Sequence, residues 1–413
     1  MKNFPPPIST LISSCRLTKL LAAILFVTTG AGLASAQTTG FKQSGSGPFD
    51  YNAADNWVDG KINGFWDFSL TLKSAQTITF SSNATLSTGL VFDSSGSTNV
   101  TFRAIGGPFT LTLGGDLTVR RSGDNVVSFG SATAGENLLV DLGGAVRKVT
   151  VPGIGNGGNS GNTIAFLNPV SNGGITASGG GTGGGKVLLN GNSNSLSSLE
   201  IQGAEVSFGG DPAGNSESIV SGELVADAGP ATISLTGRTA GHALLQANAF
   251  RRNPGATILF RGTDLGLNPL TSASANSSNI AFIKAPALAG GPGITGILTG
   301  AFGDTAAKGT GFGETGGLVT YDAINGVRLL GAGEYSESIT TGGKQPENVR
   351  FSNSSGTPIT STLSSPITNI NSLSISVKGT GGNQGVTISS EGNAVLKIIS
   401  GVIYADQNVT GES

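Results

Sequence analysis

Cysteine is almost absent from this 413-residue chain: Cys15 stands alone, so no disulfide closes within it and no thiolate cluster holds a metal. Histidine is as scarce. His242 is the only one, and a zinc site of the usual kind needs three or four His, Cys or carboxylate ligands. Charge is thin, at 12% of residues with a formal net of −2, which excludes the basic stripe that phosphate backbones and anionic membrane surfaces attract. Helical periodicity is missing as well. The nearest approach to it, Gly241–Arg252 (GHALLQANAFRR), reads equally as a strand and its corner.

What the chain has instead is 67 glycines and short apolar bursts bounded by Gly, Asn, Asp and Ser. Disordered segments are poor in Val, Ile, Leu and Phe, whereas here those residues recur along nearly the whole length. The spacing predicts strands at Gln76–Phe80, Gly89–Phe92, Asn99–Phe102, Phe109–Leu113, Asp116–Val119, Val126–Phe129, Leu138–Leu142, Val146–Val151 and Ile164–Leu167. The clearest unit is 184–210, with strands Lys186–Leu189, Leu199–Ile201 and Glu205–Phe208 separated by polar corners, Ser193 among them. Strand, sharp corner, strand is the pattern of a stacked rung. The expected fold is all-β: a right-handed parallel β-helix, or β-solenoid, with Gly-rich loop excursions. Gly153–Asn162, Gly173–Gly185, Asn268–Asn279 and Asp304–Gly317 read as those excursions.

The first 36 residues read as a signal peptide. Lys2, Arg16 and Lys19 are positive with no acidic residue, Leu20–Val27 is a short apolar core, and Ala34-Ser35-Ala36 offers small residues for cleavage. Cleavage would make Gln37 the mature N-terminus, remove Cys15 and three positive charges, and move the net charge from −2 to −5. Residues 37–413 then form the solenoid domain, with 37–75 as its N-terminal cap, where Trp57 and Trp66 would cover the open end.

Several stretches resemble the autotransporter-associated β-strand repeat proteins. They are the 184–210 unit, the Asn56-Trp57 pair, Thr77–Phe80, Gly106–Val119, and the segment Gly255–Glu334 with Gly255–Phe260, Gly290–Gly296, Leu318–Asp322 and Gly326–Leu330. Ser195 and Ser197 depart from the family corner, which carries an aromatic residue and a glycine there. The resemblance implies an exported solenoid at the surface of a Gram-negative-type bacterium or outside it, acting in structure or adhesion without catalysis. It also implies a surface polysaccharide or other cell-surface component as partner, and an outer-membrane translocator or anchor that this chain does not contain. Two readings of the far end stand: a fragment of a longer protein, or a chain exported by a partner.

Gly180–Lys186 ends in Gly-Lys but continues with Val187 into a strand, so a phosphate loop lacks both its hydroxyl and its helix. His242 has no Gly-x-Ser-x-Gly elbow beside it and reads as a corner residue facing solvent. A glycosidase needs two carboxyl groups about 5–10 Å apart, and the candidates are Asp116 with Asp124, Glu136 with Asp141, and Asp304 with Glu314. Arg251-Arg252 is a basic pair suited to an acidic sugar. No set is dense enough to assign catalytic, cofactor-binding or metal-binding residues. The rival readings are a secreted polysaccharide lyase or glycosidase on the same fold, and a polysaccharide-binding module presenting Tyr51, Trp57 or Trp66 in a row.

Overall fold

The computed structural model describes residues 46–56, 66–68, 76–86, 89–92, 99–120, 125–153, 161–179, 184–209, 214–236, 241–272, 276–305, 316–339, 347–353, 357–378, 385–390 and 392–408. The signal segment, Trp57, Asp124 and Glu314 lie outside these residues, as does the side chain of Trp66. The architecture is a parallel β-solenoid of about ten turns. Among the described residues there is no α-helix, only two three-residue 3-10 turns.

Each turn contributes one strand to a first sheet. In chain order these are Phe49–Asp50, Gln76–Phe80, Val100–Ala104, Val126–Phe129, Thr163–Phe166, Lys186–Leu189, Glu205–Phe208, Pro230–Leu235, Thr257–Gly262 and Ala301–Asp304, every neighbour parallel. The rest of each turn builds a second sheet with two arms. In one turn the arms are separate strands, Phe109–Leu113 and Leu117–Val119. In the next, Leu138–Thr150 runs through both, pairing with the first arm at its start and the second at its end. The sequence reads this strand as two because Gly143 and Gly144 interrupt it. Both have positive φ (68° and 73°) and turn the chain between the arms. One turn on, Asn172 takes the bend at φ 56°, a conformation asparagine tolerates better than most residues.

Alternation explains the core. In-register residues share a face, so inward positions stack into columns along the ladder. One column runs Ile78, Phe102, Phe129, Phe166, Leu189, Phe208, Leu235. Within it the rings of Phe102 and Phe129 stack at 4.9 Å and those of Phe129 and Phe166 at 5.3 Å. Buried polar residues form ladders of their own: Asn125 donates to Asn162 at 3.0 Å, and Asn194 donates to Ser218 Oγ at 3.0 Å. Tyr51 closes the first rung, buried and stacked 4.7 Å from Phe80.

Three expectations are corrected. Ser193 is not in a corner: Ser193–Leu196 is a strand whose Ser193 and Ser195 face out while Asn194 and Leu196 face in. Gly173–Ser178 belongs to the strand Val170–Ser178 rather than to a loop. A side chain at Gly173 would lie 2.3 Å from Ala145 O, so glycine there reflects close rung packing, not flexibility. Ser277–Asn279 likewise begins a rung strand and is buried. Of the two readings open for Gly241–Arg252, the structure shows the strand, His242–Arg252.

The parallel order ends at Ala301–Asp304. Gly316–Asp322 pairs with it antiparallel, and Gly326–Leu329 pairs antiparallel with that strand in turn. This hairpin seats on the last strand of the second sheet. The Tyr321 hydroxyl donates to Phe282 O at 2.6 Å and accepts from Phe282 N at 3.0 Å, occupying both backbone groups of that residue. Beyond it a second parallel ladder begins, with Asn348–Asn353, Ile367–Lys378 and Val395–Asn408 in one sheet and Ile359–Leu363 and Val386–Ser390 in another. Its apolar core, around Val349, Phe351, Leu363, Ile370 and Leu373, is separate from the main one.

Candidate functional site: an amide-lined corner cleft

The corners that lead from the first sheet into the second stack as regularly as the strands. Leu167 N donates to Phe129 O at 2.8 Å and Asn190 N to Phe166 O at 2.7 Å, so the corners at 130–137, 167–169 and 190–192 lie one above another. Asn168 binds the first two together. Its Oδ1 accepts from Ser131 N (3.2 Å) and Leu138 N (3.0 Å), and its Nδ2 donates to Ser131 O (3.2 Å). Asn194 does the same below, accepting from Val170 N and donating to Gly191 O. A Cβ at Gly191 would meet Pro169 N at 2.6 Å, so only glycine allows that corner to sit so close.

Between these corners lies a cleft of about 530 Å³, lined by Ser131, Ala132, Ala134, Asn137, Leu167–Pro169 and Asn190–Asn192. No charged residue lines it. Amides, a hydroxyl and small apolar surfaces suit a neutral, hydroxyl-bearing ligand and supply no nucleophile, general base or metal ligand set. Sequence reading missed the cleft because its residues are spread over three turns of unequal length. The signal it left is the Asn and Ser content of successive corners.

Of the carboxylates singled out in the sequence, the four described ones bond within the fold. Asp116 accepts from Lys148 N at 2.8 Å, and Glu136 pairs with Arg103 at 2.6 Å. Asp141 accepts from Gly143 N at 2.6 Å and from Asn172 Nδ2 at 2.8 Å, fixing two successive bends. Asp304 is buried at the end of the first sheet and pairs with the buried Arg261 at 3.2 Å. Arg251 pairs with Glu223 and Arg252 donates to Ala256 O, so the basic pair is divided between two local contacts. Lys186 opens a strand and pairs with Glu205 at 3.2 Å, in a ladder rather than a phosphate loop.

His242 is likewise not a solvent-facing corner. It begins a strand, is half-buried, and its Nδ1 is buried with no hydrogen-bond partner. Tyr51, a candidate sugar platform, is 2% exposed. Among the described residues no aromatic side chain is exposed, and no group of three or more His, Cys, Asp and Glu is placed to hold a metal ion.

The strongest electrostatic feature is a latch at the hairpin. Arg328 donates to Asp322 at 2.7 Å and in a fork to both oxygens of Glu334 at 2.8 and 2.9 Å. Glu334 also accepts from Gly331 N and Thr295 Oγ1. The Arg328 fork holds the Glu334 carboxyl at about 2, well below its ordinary 4.5. For Asp322, burial alone would raise the value, but bonds from Arg328 and from the Asn325 and Ile324 backbones outweigh it and hold it low.

A depressed carboxyl stabilises the fold above its unfolded pKa and loses that contribution as pH falls through the folded one. The stability difference between the native chain and Glu334→Gln should therefore be constant above about pH 5 and shrink between about 4.5 and about 2. Urea melts across that range measure it. A difference that grows as pH falls would contradict the latch.

Comparison with protein-family models, curated proteins and solved structures gives no match to this chain.

Proposed function

We propose that the chain is an exported, non-catalytic β-solenoid that serves as a structural or adhesive element at the cell surface, of the autotransporter-associated repeat kind its sequence resembles. The observation that carries this reading is how the described acidic candidates are employed. Asp116, Glu136, Asp141 and Asp304 are each committed to a turn, a backbone group or an ion pair of the ladder. The body is thus a scaffold, and contact is left to its corners. The amide-lined cleft favours a neutral surface polysaccharide as the partner.

The reading is tested in the native host. Surface-accessible material should begin at Gln37, because Ala34 and Ala36 suit the signal peptidase. Incubation with pectic, alginate-like and neutral polysaccharides should release no unsaturated or reducing ends. Retention of Lys2–Leu33 in mature protein would sink the export proposal. Turnover abolished by Glu314→Gln would replace the scaffold reading with the lyase or glycosidase one.

A further inference from the structure

Along the stack, the lining of the corner cleft alternates between polar and apolar. In the middle corner every polar atom of the Asn168 side chain is spent. Its Oδ1 accepts from Ser131 N and Leu138 N, and its Nδ2 donates to Ser131 O and, at 3.4 Å, to Asn137 Oδ1. What that corner offers the cleft is the flank of Leu167 and Pro169. One turn to either side the case is reversed. The Asn190 amide has no hydrogen-bond partner among the described residues, and neither has Nδ2 of Asn137. Both side chains are half-buried and line the cleft.

Amides with bonding capacity to spare therefore stand two turns apart, with an apolar floor between them. Strands of adjacent turns lie about 4.8 Å apart, so the two amides are separated along the axis by about 10 Å. A single sugar ring reaches one of them. A chain lying along the stack reaches both, and sets the C–H face of its middle ring on Leu167 and Pro169. The cleft, at about 530 Å³, falls within the ~300–1,000 Å³ of ordinary ligand pockets.

Resting on the neutral polysaccharide partner put forward above, we propose that the cleft binds an extended, β-1,4-linked glycan laid along the solenoid axis, with one sugar residue to a turn and three in all. The first and third rings exchange hydroxyl hydrogen bonds with Asn137 and Asn190, and the second rests on the apolar floor. The linkage follows from the shape of that floor, which is straight because the corners stack along the axis. Equatorial rings in β-1,4 linkage run straight and advance by about one strand spacing per residue, so their hydroxyls keep pace with successive turns. An α-1,4-linked chain curves and leaves the floor after its first ring. Neutrality follows from the lining, which holds no charged residue: a uronic acid carboxylate would lose water there and gain no counter-charge.

Titration calorimetry of the purified protein with β-1,4-linked gluco-, manno- and N-acetylgluco-oligosaccharides should find a series whose affinity rises steeply from one residue to three and then levels. Asn190→Ala removes an amide that bonds nothing within the described fold, so the melting midpoint should stay where it is. The trisaccharide affinity should nevertheless fall about tenfold, as the loss of one or two hydrogen bonds requires. Maltotriose, which joins glucose in α-1,4 linkage, should bind no better than glucose. If no series binds, the neutral-polysaccharide reading falls and the axial site with it. Binding that is equal for one residue and three, indifferent to Asn190→Ala, or matched by maltotriose overturns the axial site and leaves the neutral partner standing.

Discussion

Phe129→Ala should lower the free energy of unfolding by about 3–5 kcal/mol. The residue is wholly buried in the middle of an aromatic stack, 4.9 Å from the Phe102 ring and 5.3 Å from the Phe166 ring. Truncation removes the buried ring and both ring–ring contacts, each worth about 0.5–1.5 kcal/mol beyond burial. The gap has little means to close, because backbone ladders on both sides hold adjacent strands near their usual ~4.8 Å spacing. Ser193→Ala provides the comparison. Its side chain faces out from a strand of the second sheet and should change stability by no more than about 0.5 kcal/mol. Denaturant melts with equal midpoints for the two variants would refute the inward column.

Gly326→Val should cost about 3 kcal/mol or more by a different route, the backbone itself. Gly326 has φ +75°, and a Cβ there would stand 2.2 Å from Ile280 O. The obstacle is main chain, so no side chain can swing aside. The hairpin would have to lift from the strand Ser277–Phe282, breaking the Tyr321 hydroxyl's two bonds to Phe282. Hydrogen exchange reads this directly. The Phe282 amide and the backbone of 316–329 should lose protection while Val126–Phe129 keeps its own. Gly255→Val separates strain from collision, because Gly255 also has positive φ (83°) but has nothing within 4 Å of an added Cβ. Equal losses for the two variants would show that the hairpin's seat contributes nothing.

The rungs were legible because period-two alternation is a local property. Lys186–Leu189 and Glu205–Phe208 fall where the sequence places them, and Leu199–Ile201 extends by one residue to Gln202. Alternation failed where the inward residue is polar. Asn194 is as buried as Leu196, and besides the nearby Gly191 O its amide bonds Val170 N and Ser218 Oγ from neighbouring turns that no local window contains. Glycine misled at 173–178 for a related reason, since composition cannot separate a glycine that frees the chain from one that lets two backbones meet. Strand direction was also hidden. Leu318–Asp322 has the same alternating character as a parallel strand, and only its pairing makes it antiparallel. For the carboxylates, sequence spacing said nothing of their partners. Asp304 meets Arg261 at a sequence separation of 43, and the cleft joins three corners that only stacking brings together.

The unequal length of the turns bears on how such a chain can change over generations. The step from Phe129 to Phe166 carries nearly twice the residues of the step from Leu189 to Phe208, yet both pairs sit in the same column. Phase is kept by side-chain parity within strands four to six residues long, not by counting residues from one turn to the next. An insertion at 131–137 would lengthen a corner and leave each column intact. A single deletion inside Thr163–Phe166 would turn Phe166 outward and break the stack. Variation by insertion and deletion is therefore expected to be punctuated, tolerated at the corners and purged from the strands, so the residues that line the cleft sit where this lineage can most freely add or remove length.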